Sequence, residues 1–162
     1  MALDNWQAAG IASFVSGPPQ GIGFSTTTAV DTTGSPTDGA RIVVLENPIL
    51  PKSQRTFSRN FRTDVFRLPA RGTFGNSAKT LIRGPGINNW DISVFKTFPI
   101  HESVRLQFRS EFYNVFNHTQ FSGLDTTARF DAATGAQANA RFGEFTSARS
   151  PRQIQFSLRF LF

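Results

Sequence analysis

The chain closes on Gln153-Ile154-Gln155-Phe156-Ser157-Leu158-Arg159-Phe160-Leu161-Phe162, where Ile154, Phe156, Leu158, Phe160 and Phe162 fall on one face and Gln153, Gln155, Ser157 and Arg159 on the other. A period of two is a strand period. The apolar face is loaded with rings and runs to the last residue, a pattern that the edge strand of a water-soluble sheet avoids because exposed apolar edges aggregate. A strand that faces a bilayer needs this pattern. Membrane barrel strands of about 9–11 tilted residues turn apolar groups to lipid and polar groups to the lumen. The edge strand of a soluble β-sandwich stays open as the alternative.

With 162 residues the chain has room for one domain, or for part of a larger one. It holds 18 Phe and 13 Gly but no Cys, which excludes disulfides and thiolate chemistry. No run approaches the roughly 18 apolar residues of a membrane helix, a test that barrel strands escape. The net charge of +6 raises nucleic-acid binding. Against it, Arg41, Arg55, Arg59, Arg62, Arg67, Arg71 and Arg83 are scattered through a Pro/Gly-rich stretch, without a recognition helix, zinc finger or aromatic RNA-binding signature. No nucleic-acid partner is expected; an outer loop that meets anionic head groups or an acidic ligand fits the arginines as well. The opening Met1-Ala2-Leu3-Asp4-Asn5-Trp6 lacks the basic and apolar regions of a secretory signal. Either a cytosolic protein or the tail of a longer one is therefore expected.

Four segments read as long strands, near residues 5–16, 89–98, 103–117 and 152–162. In the first, Trp6, Ala8, Gly10, Ala12 and Phe14 share a face; in the second, Trp90, Ile92, Val94 and Phe98 do, with Lys96 among them. Trp6 and Trp90 suit the interfacial aromatic belt, and a lysine near a strand end can snorkel to head groups. In the third, Val104, Leu106, Phe108, Phe112 and Phe116 alternate with Arg105, Gln107, Arg109, Glu111 and Tyr113. Residues 17–88 and 118–151 read as two long loops. The first carries a Thr-rich piece, Phe24 to Thr33, that could extend a hairpin, and then Pro36, Pro48, Pro51, Pro69 and Pro85, which allow only short elements. The second contains Gly123 to Ala140, rich in Ala, Thr and Gly, and reads as a mobile loop with little to bury. Pro99-Ile100-His101-Glu102 makes a tight connection. Long loops on one side and a tight turn on the other are the asymmetry of outer-membrane barrels. Both chain ends are then expected at the periplasmic side. The fold class expected is all-β: an antiparallel transmembrane β-barrel segment of about four C-terminal strands with two long extracellular loops, an incomplete barrel.

These stretches together resemble the C-terminal barrel portion of TonB-dependent outer-membrane receptors, in the Oar-like group that carries a carboxypeptidase-regulatory-like domain. The resemblance rests on Asn5-Trp6-Gln7 through Ser16-Gly17, on Leu50-Pro51 with Gln54-Arg55-Thr56, and on Gly72-Thr73-Phe74-Gly75-Asn76. It continues through Arg83-Gly84-Pro85-Gly86 with Asn89-Trp90-Asp91, Arg105-Leu106-Gln107-Phe108-Arg109 through Asn114-Val115-Phe116-Asn117-His118, and Phe142-Gly143 through Pro151-Arg152-Gln153-Ile154-Gln155-Phe156. It implies energy-coupled uptake of a scarce ligand by a barrel of about 22 strands with a plugged lumen. The ligand itself is unknown. The partners implied are outer-membrane lipid, the barrel-assembly machinery, and the TonB complex through N-terminal regions that this chain lacks. The terminal row Ile154, Phe156, Leu158, Phe160 and Phe162 is implied to be the mark read by the assembly machinery. Four strands cannot close a barrel, so a fragment of a longer receptor is the first expectation. A small autonomous eight-stranded barrel and a soluble β-sandwich binding module remain as alternatives.

No catalytic motif is found, and neither an enzyme activity nor a cofactor is expected. His101 and His118 fall at opposite ends of the third strand's span and lack carboxylates at ligand spacing. Gly21-Ile22-Gly23 is a weak echo of a dinucleotide loop, and Arg83-Gly84-Pro85-Gly86 reads as a turn rather than a phosphate cradle. The candidate lumen-facing residues are Arg105, Gln107, Arg109, Glu111, Gln153, Gln155 and Arg159. Cross-strand pairing along the wall is their commoner role, and contact with ligand or plug the rarer one.

Overall fold

The computed structural model describes residues 4–34 and 39–162. Met1, Ala2 and Leu3 of the opening segment and Pro36 of the Pro/Gly-rich stretch lie outside the described residues. Among the described residues twelve strands follow in chain order: β1 (Trp6–Val15), β2 (Pro19–Gln20), β3 (Gly23–Thr26), β4 (Val43–Val44), β5 (Phe66–Arg67), β6 (Ile82–Arg83), β7 (Ile87–His101), β8 (Val104–Tyr113), β9 (Phe121–Leu124), β10 (Thr127–Phe130), β11 (Phe145–Ala148) and β12 (Gln153–Leu161). The chain divides into two compact units.

The first unit is one antiparallel sheet in the order β1-β7-β8-β12. Each boundary has a local cause. Asn5, at φ +61°, precedes β1 and Gly17-Pro18 follows it. Glu102, at φ +33°, sits in the tight connection, and His101 pairs with Val104 across it after a register shift beyond Pro99. β7 runs from Ile87 to His101, longer than the expected 89–98. β8 stops at Tyr113 rather than continuing to 117, because Asn114 adopts φ +51° and leaves the extended region. Phe116, expected on the strand, therefore lies beyond its end. Among the described residues neither the outer edge of β1 nor that of β12 has a strand partner. The sheet is open.

The second unit gathers residues 17–85 and 121–147. Its strands are short, as the prolines require, but it has a core: Ile22, Ile42, Phe61, Val65, Phe66, Ile82, Ala128, Phe130 and Phe142. Phe61, Phe66 and Phe142 meet edge-on, with ring centroids 5.1–6.0 Å apart, a favoured aromatic geometry. Two expectations are corrected here. The Thr-rich piece makes no hairpin; β3 pairs in parallel with β10, about a hundred positions away, Phe24 opposite Ala128 and Ser25 opposite Arg129. The segment 123–140 has much to bury, since Ala128 and Phe130 are enclosed. Residues 17–85 and 121–147, within the two expected loops 17–88 and 118–151, thus pack into one body with a core of its own. Within this unit Gly17 and Gly84 approach so closely that a Cβ on Gly17 would lie 1.8 Å from the Gly84 carbonyl oxygen, which explains the glycine.

Candidate functional site

The register sorts the sheet's side chains into two faces. Trp6, Lys96, Phe108 and Leu158 form one row across it; Ala8, Val94, Ser110 and Phe156 form the next; Gly10, Ile92, Phe112 and Ile154 a third. Phe98, Leu106 and Phe160 continue the same face toward the tight turn. The five residues of the terminal row therefore extend an apolar surface that all four strands share. Phe108 stacks on Phe156 at 5.9 Å, and Phe112 meets Phe156 edge-on at 6.4 Å. Phe156 remains 66% exposed, Leu158 65% and Phe162 98%. A continuous exposed apolar surface of this kind marks contact with another apolar phase.

Its polar members are arranged for that phase. Ser110 donates its hydroxyl to the Val94 carbonyl at 3.2 Å, so no free hydroxyl faces outward. Lys96 donates to the Asp4 carbonyl at 2.5 Å, with its ammonium 5.0 Å from the Trp6 ring and 5.7 Å from Phe98. The amine is thereby drawn to the turn end of the sheet, as a snorkelling lysine is. At the other end Trp90 packs edge-on between Phe14 at 5.5 Å and Phe116 at 5.8 Å, and its indole N–H donates to Asn88. The ten steps along β7 from Phe98 to Asn88 cover about 33 Å at roughly 3.3 Å each, or about 25 Å once tilted by 40–45°. That is the height of the apolar band of a membrane barrel, with an aromatic group at each rim. No helix among the described residues is long and apolar enough to cross a membrane.

A family model described as an outer membrane beta barrel domain matches residues 1–155. The chain belongs to this outer-membrane β-barrel family. No curated protein and no solved structure matches it at a significant level. The barrel domain's location is the outer membrane, and its apolar face is the one suited to lipid. The sheet is the unclosed, all-β architecture of an incomplete barrel.

The opposite face carries all seven candidate lumen residues. Ser93, Glu111 and Gln155 form one row, Phe95, Arg109 and Ser157 the next, then Thr97, Gln107 and Arg159, and Pro99 with Arg105. Gln153 pairs with Tyr113. Arg109 holds Glu111 at 2.6 Å and lies 4.8 Å over the Phe95 ring. The other candidates share this face without a close ion pair among the described residues. His101 lies at the tight turn and His118 beyond the far end of β8, so the histidines stay apart.

Sequence reasoning overlooked a polar corner at the wide end of the sheet. The Asp91 carboxylate accepts from the Asn89 side chain and the Asn114 backbone N–H, each at 2.9 Å. The Asn114 side chain closes on His118, donating to its carbonyl at 2.9 Å and accepting from its N–H at 3.0 Å. The Gln120 amide accepts from the Asn88 N–H at 2.9 Å and donates to the Asn88 carbonyl. Asn114 and Gln120 thus act as short backbone substitutes that end β8 and cap β7. The left-handed asparagines were the available signal, since Asn is enriched there.

Proposed function

We propose that the chain is a sector of a larger TonB-dependent receptor barrel, engaged in energy-coupled uptake of a scarce ligand and not in catalysis. The observation that carries this is the pair of unpaired outer edges, on β1 and β12. Backbone groups left unpaired in lipid cost several kcal/mol each, so a spanning sheet must close on further strands. A large plugged barrel supplies them, and the resemblance to Oar-like receptors names the class. An autonomous eight-stranded barrel fits less well, because only four strands join the membrane sheet among the described residues. In this reading the apolar face meets lipid, the terminal strand is handed over by the assembly machinery, and the TonB complex acts on parts of the receptor outside this chain.

Energy coupling can be tested without knowing the ligand. In bacteria whose growth on a limiting nutrient depends on the receptor that carries this sequence, deleting TonB should abolish the receptor's growth advantage, and the double deletion should grow no worse than either single one. Receptor-dependent growth that persists without TonB would overturn coupled uptake and leave a passive pore.

A further inference from the structure

We propose that the second unit holds a binding site for a small organic acid with an apolar body, in a cavity between the 3-10 turn Lys52–Gln54 and the β2–β6 ribbon. The cavity measures about 430 Å³, within the roughly 300–1,000 Å³ of small-molecule sites. Its floor is apolar, with the buried rings and branches of Phe61 and Ile82. Its wall is cationic, with Lys52, Arg55 and Arg83 and no acidic side chain.

Both sides of the cavity are held by backbone bonds. Ile49 bridges to Phe61, Gln54 N–H donates to the Pro51 carbonyl at 3.0 Å, and Arg55 N–H to the Lys52 carbonyl at 3.3 Å. Across from them Arg83 pairs with Pro19 and Ile82 with Gln20. Each arginine is steadied by one N–H of its fork: Arg55 Nε donates to the Leu50 carbonyl at 2.9 Å and Arg83 Nη1 to the Gly17 carbonyl at 3.2 Å. A guanidinium has five N–H donors, so the rest stay available to a ligand.

The unit's described carboxylates are engaged elsewhere. Glu46 and Asp64 grip Arg62 at 2.5 and 2.9 Å, Asp64 also lies 3.8 Å from Arg59, and Glu144 lies 3.4 Å from Arg141. Among the described residues none of the cavity's three cations has a carboxylate partner. Like charges over a low-dielectric floor concentrate a field that favours an anion, and the arginine fork matches a carboxylate. The apolar floor then selects an acid with a hydrophobic body. The inference rests on the receptor reading for its purpose, since a receptor must capture what it imports.

The full chain, held in neutral detergent, is titrated calorimetrically with naphthalene-2,6-dicarboxylate against a micelle blank. Saturable binding with a Kd on the order of 0.1 mM is expected. The R55Q/R83Q double variant should weaken it at least about tenfold and K52Q about threefold, because a charge-assisted contact is lost at each. R71Q removes an exposed cation that does not line the cavity and should leave binding unchanged. The uncharged naphthalene-2,6-dimethanol should bind at least about tenfold more weakly. Absence of saturable binding, an equal loss in R71Q, or equal binding of the diol would each overturn the site. Unchanged resistance of the variants to chymotrypsin, whose sites the substitutions leave intact, shows that they fold. Titration in micelles reads the cavity and TonB-dependent growth reads the receptor, so either can fail with the other standing.

Discussion

In the first unit every buried residue among those described is polar: Lys96 and Ser110 on the sheet, Asn114 and Gln120 beside it. In the second unit the buried set includes Ile22, Ile42, Phe61, Val65, Phe66, Ile82, Phe130 and Phe142. One chain thus holds two opposite solutions to the same problem. The sheet satisfies its backbone with long ladders and turns its rings outward, which suits a surrounding of hydrocarbon. The second unit has short ladders and turns Phe61, Phe66, Phe130 and Phe142 inward, which suits a surrounding of water. Regular secondary structure and a hydrophobic core are therefore separable, and where the rings point tells which phase each part was built for.

The contrast breaks most readily at two phenylalanines. Phe61 is 1% exposed in the core of the second unit, whereas Phe156 stands on the sheet's outer face. Phe61→Ala should cost about 3–5 kcal/mol through lost burial and a residual cavity; Phe156→Ala should cost about 0.5 kcal/mol or less, as at exposed positions. Limited trypsin digestion of the full chain in detergent reads this, because the arginine-rich second unit becomes cleavable in proportion to its opening. Phe61→Ala should speed cleavage about a hundredfold or more, with Phe156→Ala near the parent rate. Equal acceleration by both would mean that the sheet has a core of its own, and the comparison would fail.

The outward row poses a different question at its end, where solvation and recognition by the assembly machinery make different demands. In a complete receptor carrying this tail, F160D and deletion of Phe162 should both lower the amount that reaches the outer membrane. A charge near the rim of the apolar band costs on the order of 1 kcal/mol, about fivefold. A fall well beyond that assigns the row to strand recognition, in which the edge supplies backbone pairing and the alternating side chains set register and face. D131A, in the second unit, serves as the control and should assemble normally. Tail variants that reach parental levels would reduce the terminal strand to ordinary packing.

What the sequence disclosed follows the same division. The sheet was legible because its information is local: alternation in Ile154 to Phe162 and in Val104 to Phe112 assigns a face at every second residue, and pairing then has little choice of register. The tight turn and the seven polar-face residues came with it. The second unit was hidden because its decisive pairings join distant positions. Nothing near Thr127–Phe130 shows that β3 waits a hundred residues earlier, and averaging the Ala, Thr and Gly content of 123–140 conceals the single ring of Phe130 that fixes it. Asn114 and Gln120 were missed for another reason. They act through side-chain amides that take the place of backbone, and no periodicity reports that. The cavity over Phe61 and Ile82 was equally out of view, although the unpaired arginines that wall it were counted.

The smallest expected effect lies at Asp131, inside the segment that composition marks as mobile. Its carboxylate accepts from the Thr134 N–H at 2.7 Å, the Thr134 hydroxyl at 2.8 Å and the Ala133 N–H at 3.0 Å. These bonds, led by the Thr134 N–H, favour the ionised form and hold the carboxyl below its ordinary value. A carboxylate whose pKa is lower folded than unfolded stabilises the turn above the unfolded value of about 3.9, and that contribution disappears as pH falls through the folded one. The group is only partly covered and borders solvent, so global stability should hardly respond. The local signal is clear nonetheless: in detergent micelles the Thr134 amide resonance should titrate with a midpoint below about 3.9, and D131N should abolish that titration. A mobile loop would average those bonds away and return the midpoint of a free aspartate. That result would extend the sheet's kind of order no further than the membrane strands and leave the second unit a core with loose margins.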